Sequence, residues 1–225
     1  MKLAIDGMDG VGKSSVAKLL GKELNYPVYE QKLVENIGID SVSYKNLVTH
    51  IRKSKNKSIS PIFYTLKSLL DNEDENSIAV RSIVSMFYFE HDNVSSQFIN
   101  NILSLGTVPD LIIILYAPVE ERIKRIKKRN ENDPDLFSKT ALCEGYEIML
   151  DFVKEYNLPY LGIDTTNLSL DQVAVLTKML VEGYQNSINK GDYLNNMNQT
   201  YGFENFYKKG EKGYEKVLKK GWINE

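Results

Sequence analysis

The chain has 225 residues, of which 42% are apolar and 26% charged, and its formal net charge is −2. This composition provides for one sizeable globular domain with a buried core, and the charge excludes an overall basic field aimed at nucleic acid. The single cysteine, Cys143, excludes an intrachain disulfide framework and a cysteine-based zinc site, as expected for a protein of the reducing cytoplasm.

The N-terminus reaches an acid at Asp6, too soon for a signal peptide, and no apolar run approaches the length of a membrane span. Leu3-Ala4-Ile5 reads as a buried strand that feeds straight into a glycine-rich turn. From Ser14 to Leu24, residues Val16, Ala17, Leu19, Leu20 and Leu24 fall at helical spacing. Pro27-Val28-Tyr29 gives a short second strand. Residues 40–75 are polar and hard to parse, although Ile62, Phe63, Leu66, Leu69 and Leu70 would line one helical face. Ser77–Val80 predicts a third strand, followed by a helix over Ile83–Phe89. Leu111–Tyr116 is the clearest strand. Pro118 then opens a helix to about Arg129, with Val119, Ile123 and Ile126 on its buried stripe. Tyr160–Ile163 predicts the last strand, before a helix over Leu170–Tyr184.

Short apolar runs alternating with helical patterns point to βαβ units and a parallel sheet. From Asn186 onward Asn, Gly, Lys and aromatic residues dominate. Residues 1–185 therefore read as one domain, and 186–225 as a C-terminal appendage with a weak helical element around Tyr214–Trp222. Its mixture of lysines, Tyr207, Tyr214 and Trp222 would suit stacking on single-stranded nucleic acid, but the absence of net basic charge favours packing on the domain or on a partner subunit.

Gly7-Met8-Asp9-Gly10-Val11-Gly12-Lys13-Ser14 matches the phosphate-binding pattern G-x-x-x-x-G-K-[ST] without a mismatch. Glycines let the backbone turn tightly, so that successive amides point at phosphate oxygens, and the following helix adds its positive end. Gly7, Gly10, Val11, Gly12, Lys13, Ser14 and Ser15 are thus the expected ATP-binding residues. Lys13 reaches the terminal phosphates and the Ser14 hydroxyl serves Mg²⁺. A strand before the loop and an amphipathic helix after it supply the required context.

The segment Ala4–Ser15 resembles the opening of the thymidylate kinase family, in which an acid, glycine, an apolar residue and Asp precede Gly-x-Gly-Lys-Ser/Thr. Pro109–Leu115 with Ala117-Pro118-Val119-Glu120 resembles the family's fourth strand and its proline-started helix. Arg125–Arg129 resembles the basic segment entering the lid, Gly145-Tyr146 a Gly-Tyr pair after it, and Pro159-Tyr160 to Asp164-Thr165 the loop that packs on adenine. The resemblance covers residues 1–183. It implies a P-loop kinase fold with a five-stranded parallel sheet flanked by helices and a helical lid. It further implies Mg-ATP as donor, a deoxynucleoside monophosphate (dTMP first) as acceptor, and a homodimer.

On this resemblance Asp9 contacts the acceptor sugar, and Arg81 clamps the acceptor phosphate or the transferred group with its guanidinium fork. A turn-stabilising aspartate and a surface arginine are the plainer alternatives. Val80 stands where both related kinase families carry an acid before that arginine, so Asp6 or Glu30 becomes the candidate substitute in the Mg²⁺ shell. Glu30 also sits where deoxynucleoside kinases place a base toward a 5′-hydroxyl, although Gln31 replaces the usual proline. Phe63 and Lys67 have the spacing of a base-stacking aromatic and a cation, with core packing the plainer reading of Phe63. Of Arg122, Arg125 and Arg129, the last is nearest the lid at Asn130–Ser138 and is expected to neutralise charge on the transferred group. Arg122 is expected on a solvated face beside a Glu121–Arg125 pair. Three functions follow: a thymidylate-kinase-like nucleotide kinase first, then a deoxynucleoside kinase, then a nucleotide-binding accessory protein with little turnover. No Asn-Lys-x-Asp motif points to guanine and a GTPase switch.

Overall fold

A computed structural model describes residues 1–30, 32, 38–137, 143, 145–190 and 198–201. Gln31, Ser138 and the segment from Tyr207 to Trp222, all invoked above, lie outside these residues. Six parallel strands form one sheet in the order β2-β3-β1-β4-β5-β6. They are β1 (Lys2–Gly7), β2 (Val28–Tyr29), β3 (Ser77–Val80), β4 (Leu111–Tyr116), β5 (Tyr160–Asp164) and β6 (Asn198–Tyr201). The first five are the strands expected from the apolar runs. The sixth belongs to the segment read as an appendage, and it extends the sheet by pairing in parallel with β5 from Tyr160↔Asn198 to Ile163↔Tyr201.

The helices are α1 (Lys13–Leu24), α2 (Ser41–Arg52), α3 (Ile59–Asp71), α4 (Ile83–Glu90), α5 (Ser96–Leu103), α6 (Val119–Arg129), α7 (Tyr146–Glu155) and α8 (Leu170–Lys190). Every residue of β4 is buried, as a strand covered by helices on both faces must be. Leu3, Ile5, Val16, Leu20, Ile78, Ile83, Phe152 and Ile163 complete a continuous core with it. Helix α8 packs on α1 and continues past Tyr184, where the apolar pattern gave out, to Lys190. Among the described residues no helix is long and apolar enough to cross a membrane.

Two helices occupy the polar stretch that resisted parsing. Asp40 starts α2 by accepting the amides of Val42 at 2.9 Å and Ser43 at 3.0 Å, a side-chain cap that satisfies donors the helix itself cannot. Helix α3 inverts the expected polarity. Its buried positions are Ser60, Pro61, Thr65, Lys67, Ser68 and Asp71, whereas Ile62 and Leu66 are 55% and 47% exposed. The inward side of α3 faces a polar cavity, so the helix buries hydroxyls and charges there in place of aliphatic carbon.

The register joins the functional segments. Ile5 on β1 pairs with Val80 on β3, and Gly7 pairs with Leu115 on β4. The carboxyl ends of β1, β3, β4 and β5 therefore open onto one edge of the sheet, where ligands bind in open parallel α/β folds.

Candidate functional site

The glycine-rich loop leaves β1 at Gly7 and enters α1 at Lys13. Gly7, Gly10 and Gly12 all have positive φ, the conformation that curls a backbone around an anion and that side-chain-bearing residues resist. At Gly10 a second constraint acts. A β-carbon there would lie 2.8 Å from the Arg122 carbonyl oxygen, so only glycine lets α6 press against the loop.

Lys13 is buried, and its Nζ donates to the Met8 carbonyl at 2.8 Å and lies 3.4 Å from Asp9 Oδ1. Burial, reinforced by the nearby Arg81 cation, lowers its pKa to about 7 against the pull of Asp9 and Asp6. Asp9 accepts a close charged hydrogen bond from Arg81. Burial pushes the Asp9 carboxyl up, but Arg81 and Lys13 outweigh it and hold the group below the usual aspartate range. One carboxylate oxygen thus holds two cations, one from the start of α1 and one from the end of β3, where an incoming phosphate would compete for both.

Arg81 follows β3 with φ at +72°, in the left-handed region that a residue carrying a β-carbon occupies at a cost. Its amide donates to Ile5 O at 3.0 Å, which pins that conformation to the neighbouring strand. The guanidinium carbon lies 5.6 Å from the centre of the Phe89 ring.

Of the two acids proposed to replace the one missing at Val80, Glu30 lies beside the Ser14 hydroxyl, the group expected to serve Mg²⁺. Ser14 Oγ donates to Glu30 Oε2 at 3.0 Å. Asp6 is wholly buried and engaged elsewhere, accepting Ser82 N at 3.1 Å, Ser82 Oγ at 2.6 Å and Ser85 Oγ at 2.5 Å. A hydroxyl and a carboxylate adjoining a phosphate loop are oxygen donors of the kind Mg²⁺ takes alongside phosphate oxygens, so the residues fit that ion.

The α6 arginines divide in a way the sequence does not announce. Arg122, expected on a solvated face, is fully buried, and its guanidinium donates to the Asp9 carbonyl at 3.3 Å and the Cys143 carbonyl at 2.7 Å. It bolts the phosphate loop to the chain beyond the lid. Arg125 makes the Glu121 pair at 3.1 Å and also donates to Thr165 Oγ1 at 2.8 Å and Thr165 O at 2.6 Å. That fixes the loop after β5. Arg129 lines the cavity but is held by Asp133 at 2.5 Å and Asp135 at 3.1 Å, so it must exchange carboxylates for phosphate to act in transfer. The described lid segment includes one turn of 3-10 helix, Pro134–Phe137.

A cavity of about 1380 Å³ joins these groups. Its walls include the loop from Asp9 to Ser15, Glu30, Arg81, Arg125, Arg129 and Thr165. Phe63 is not among them. It meets Tyr64 edge-on and Tyr44 at a tilt, and Tyr64 and Phe89 are aromatic residues that do face the cavity. Lys67 lines the wall with its ammonium engaged by Asp71. The sequence pointed to neither Tyr64 nor Phe89, since an aromatic at helical spacing reads as core.

The family model described as AAA domain matches residues 3–144. The chain is 30% identical over 169 residues to a probable thymidylate kinase 1 of Saccharolobus solfataricus, an alignment covering 69% of this chain and 84% of the relative. It is 26% identical over 210 residues to a deoxyadenosine kinase of Dictyostelium discoideum, covering 86% and 85%. Among solved structures, a deoxyadenosine kinase from M. mycoides with bound dATP superposes with a TM-score of 0.52 at 20% identity, over 83% of this chain and 100% of that one, a likeness of fold. With an unbroken phosphate loop at the carboxyl edge of a parallel sheet, the chain belongs to the AAA domain family and, within it, to the thymidylate-kinase-like P-loop kinases.

Proposed function

We propose that the protein is a nucleotide kinase that transfers the γ-phosphate of ATP to a deoxynucleoside monophosphate. The observation that carries this reading is the convergence of Lys13 and Arg81 on the Asp9 carboxylate. Lys13 belongs to the loop that cradles the donor, whereas Arg81 directly follows β3, and the two meet at Asp9. Two cations gathered on one carboxylate oxygen, Asp9 Oδ1, suit two phosphates brought together for transfer.

In this reading an oxygen of the acceptor phosphate attacks the γ-phosphorus, the bond from that phosphorus to the β,γ-bridging oxygen breaks, and ADP leaves. Lys13 and the loop amides orient the donor phosphates. Arg81 releases Asp9 to bind the acceptor phosphate, and the freed carboxylate turns to the acceptor sugar. Ser14 and Glu30 would hold Mg²⁺, which screens charge on the donor phosphates. Arg125 keeps the Thr165 loop against the adenine end. Mg-ATP as donor, a cytoplasmic setting and a homodimer belong to the same reading.

A second reading rests on Glu30. A carboxylate 3.0 Å from Ser14 Oγ is also placed to take a proton from a nucleoside 5′-hydroxyl, as a deoxynucleoside kinase requires. The discriminating experiment measures ADP release from Mg-ATP with each deoxynucleoside monophosphate and each deoxynucleoside, dTMP included, against an acceptor-free control. Stimulation by monophosphates alone is the expected result. Stimulation by nucleosides alone transfers the assignment to the second reading. Nucleotide binding without stimulation by either series makes the protein an accessory module, with Val80 marking the lost acid.

A further inference from the structure

The cavity continues beyond Arg81 into a chamber walled by Ser60, Tyr64, Phe89, Glu90 and Asn93. Tyr64 and Phe89 offer ring faces, and the Arg52 guanidinium carbon lies 5.9 and 6.0 Å from their centres, so one wall is a cation-backed aromatic surface suited to a flat heterocycle. Glu90 is the chemically unusual member. It is 8% exposed, yet its carboxylate is met by neutral groups: Ser60 Oγ donates to Oε1, and Asn93 Nδ2 donates to Oε2 at 3.1 Å. Among the described residues no lysine or arginine forms an ion pair with it. A buried carboxylate has about four acceptor positions, and leaving them unfilled is costly. Two are filled here, and the chamber side remains for N–H donors brought by a ligand.

We infer that Glu90 is the base-selecting residue, and that the acceptor carries a base whose Watson–Crick edge sets an exocyclic amino group beside a ring nitrogen acceptor, which is cytosine or adenine; guanine has an N–H in that second place. The inference rests on the nucleotide-acceptor reading above and names its substrate class. An exocyclic amine donates to the Glu90 carboxylate, while the second N–H of the Asn93 amide is available to the adjacent ring nitrogen. Thymine and uracil turn a carbonyl oxygen toward the same carboxylate, so two acceptors face each other without a proton between them. Sites built to pair a polar group reject ligands that leave that group unmatched.

The test compares dCMP, dAMP and dTMP, and the three corresponding nucleosides, with the parent protein and with Glu90→Gln. Equilibrium binding is measured by calorimetry beside acceptor-dependent ADP release. The parent is expected to favour dCMP or dAMP over dTMP by roughly 10- to 100-fold, the discrimination a matched polar contact to a base provides. Glu90→Gln, which keeps the shape and the Ser60 contact while adding a donor, is expected to cut that ratio by about tenfold or more. Because the readout is a ratio between ligands, loss of folded protein leaves it unaltered. Preference of the parent for dTMP, an unchanged ratio in Glu90→Gln, or no binding of any of the six ligands overturns the inference. If the amino-base preference appears only among nucleosides, base selection by Glu90 stands while the monophosphate reading falls.

Discussion

Lys13 offers a prediction that reaches the phosphate site without depending on the acceptor. With its pKa lowered to about 7, Lys13 is about nine-tenths neutral at pH 8 and about one-tenth neutral at pH 6 in the ligand-free protein. ATP brings several negative charges to Nζ and restores the protonated form. Binding at pH 8 should therefore take up about 0.9 of a proton, and at pH 6 about 0.1. The ATP phosphates lose their last proton near pH 6 and contribute little at pH 8. Calorimetric titrations at pH 8 in buffers of different ionisation enthalpy read this uptake as the slope of observed enthalpy against buffer enthalpy. Above pH 7 the affinity should weaken about tenfold per unit, or about 1.4 kcal/mol. In Lys13→Met the slope should vanish and turnover with it. Stability moves the opposite way. The folded pKa lies below the unfolded value of 10.5, so the unfolded chain holds the extra proton between about pH 7 and 10.5, and the burial penalty is relieved as pH rises through that window. A buffer-independent binding enthalpy at pH 8, with ATP bound, would refute the argument that burial and Arg81 hold Lys13 neutral.

Two further outcomes follow from the arginines. Arg81→Ala should reduce kcat/KM for the acceptor by roughly 100- to 1000-fold while ATP affinity stays close to that of the parent, and an unaltered acceptor dependence would remove Arg81 from phosphate binding. Arg122→Met should strip partners from the Asp9 and Cys143 carbonyls and cost about 2 kcal/mol, seen as a fall in Tm of roughly 4–8 °C by calorimetry. A Tm within about 2 °C of the parent would show that Arg122 does not secure the loop.

Strands and the phosphate loop were legible because both rest on local chemistry. Continuous apolar runs can be satisfied only between two helical layers, and the glycine spacing has one well-known use. The α3 side of the cavity was less legible, because that helix buries polar side chains against it. In α3 the aliphatic stripe of Ile62 and Leu66 pointed outward, so the hydrophobic pattern named the wrong inner face. Phe63 was for the same reason a poorer guide to the chamber than its neighbour Tyr64. The Asp40 cap was a readable start for α2, since an aspartate ahead of two free amides is a common way to begin a helix. Arg122 carried a fainter signal: it lies four residues before Ile126, and both are buried on α6. Charge argued for solvent there, and only tertiary contact with Asp9 and Cys143 decided otherwise. The sixth strand had no apolar run to reveal it, as Asn198–Tyr201 reads NQTY.

The backbone at Arg81 also bears on the stability of the protein. A left-handed conformation costs an arginine about 1–2 kcal/mol that a glycine would not incur. Such strain persists where the surroundings over-determine it, and here the amide bond to Ile5 O and the contact with Asp9 do so. The fold thus carries a standing cost at the residue proposed to meet the acceptor phosphate, and a glycine that gave up the guanidinium would be free of it.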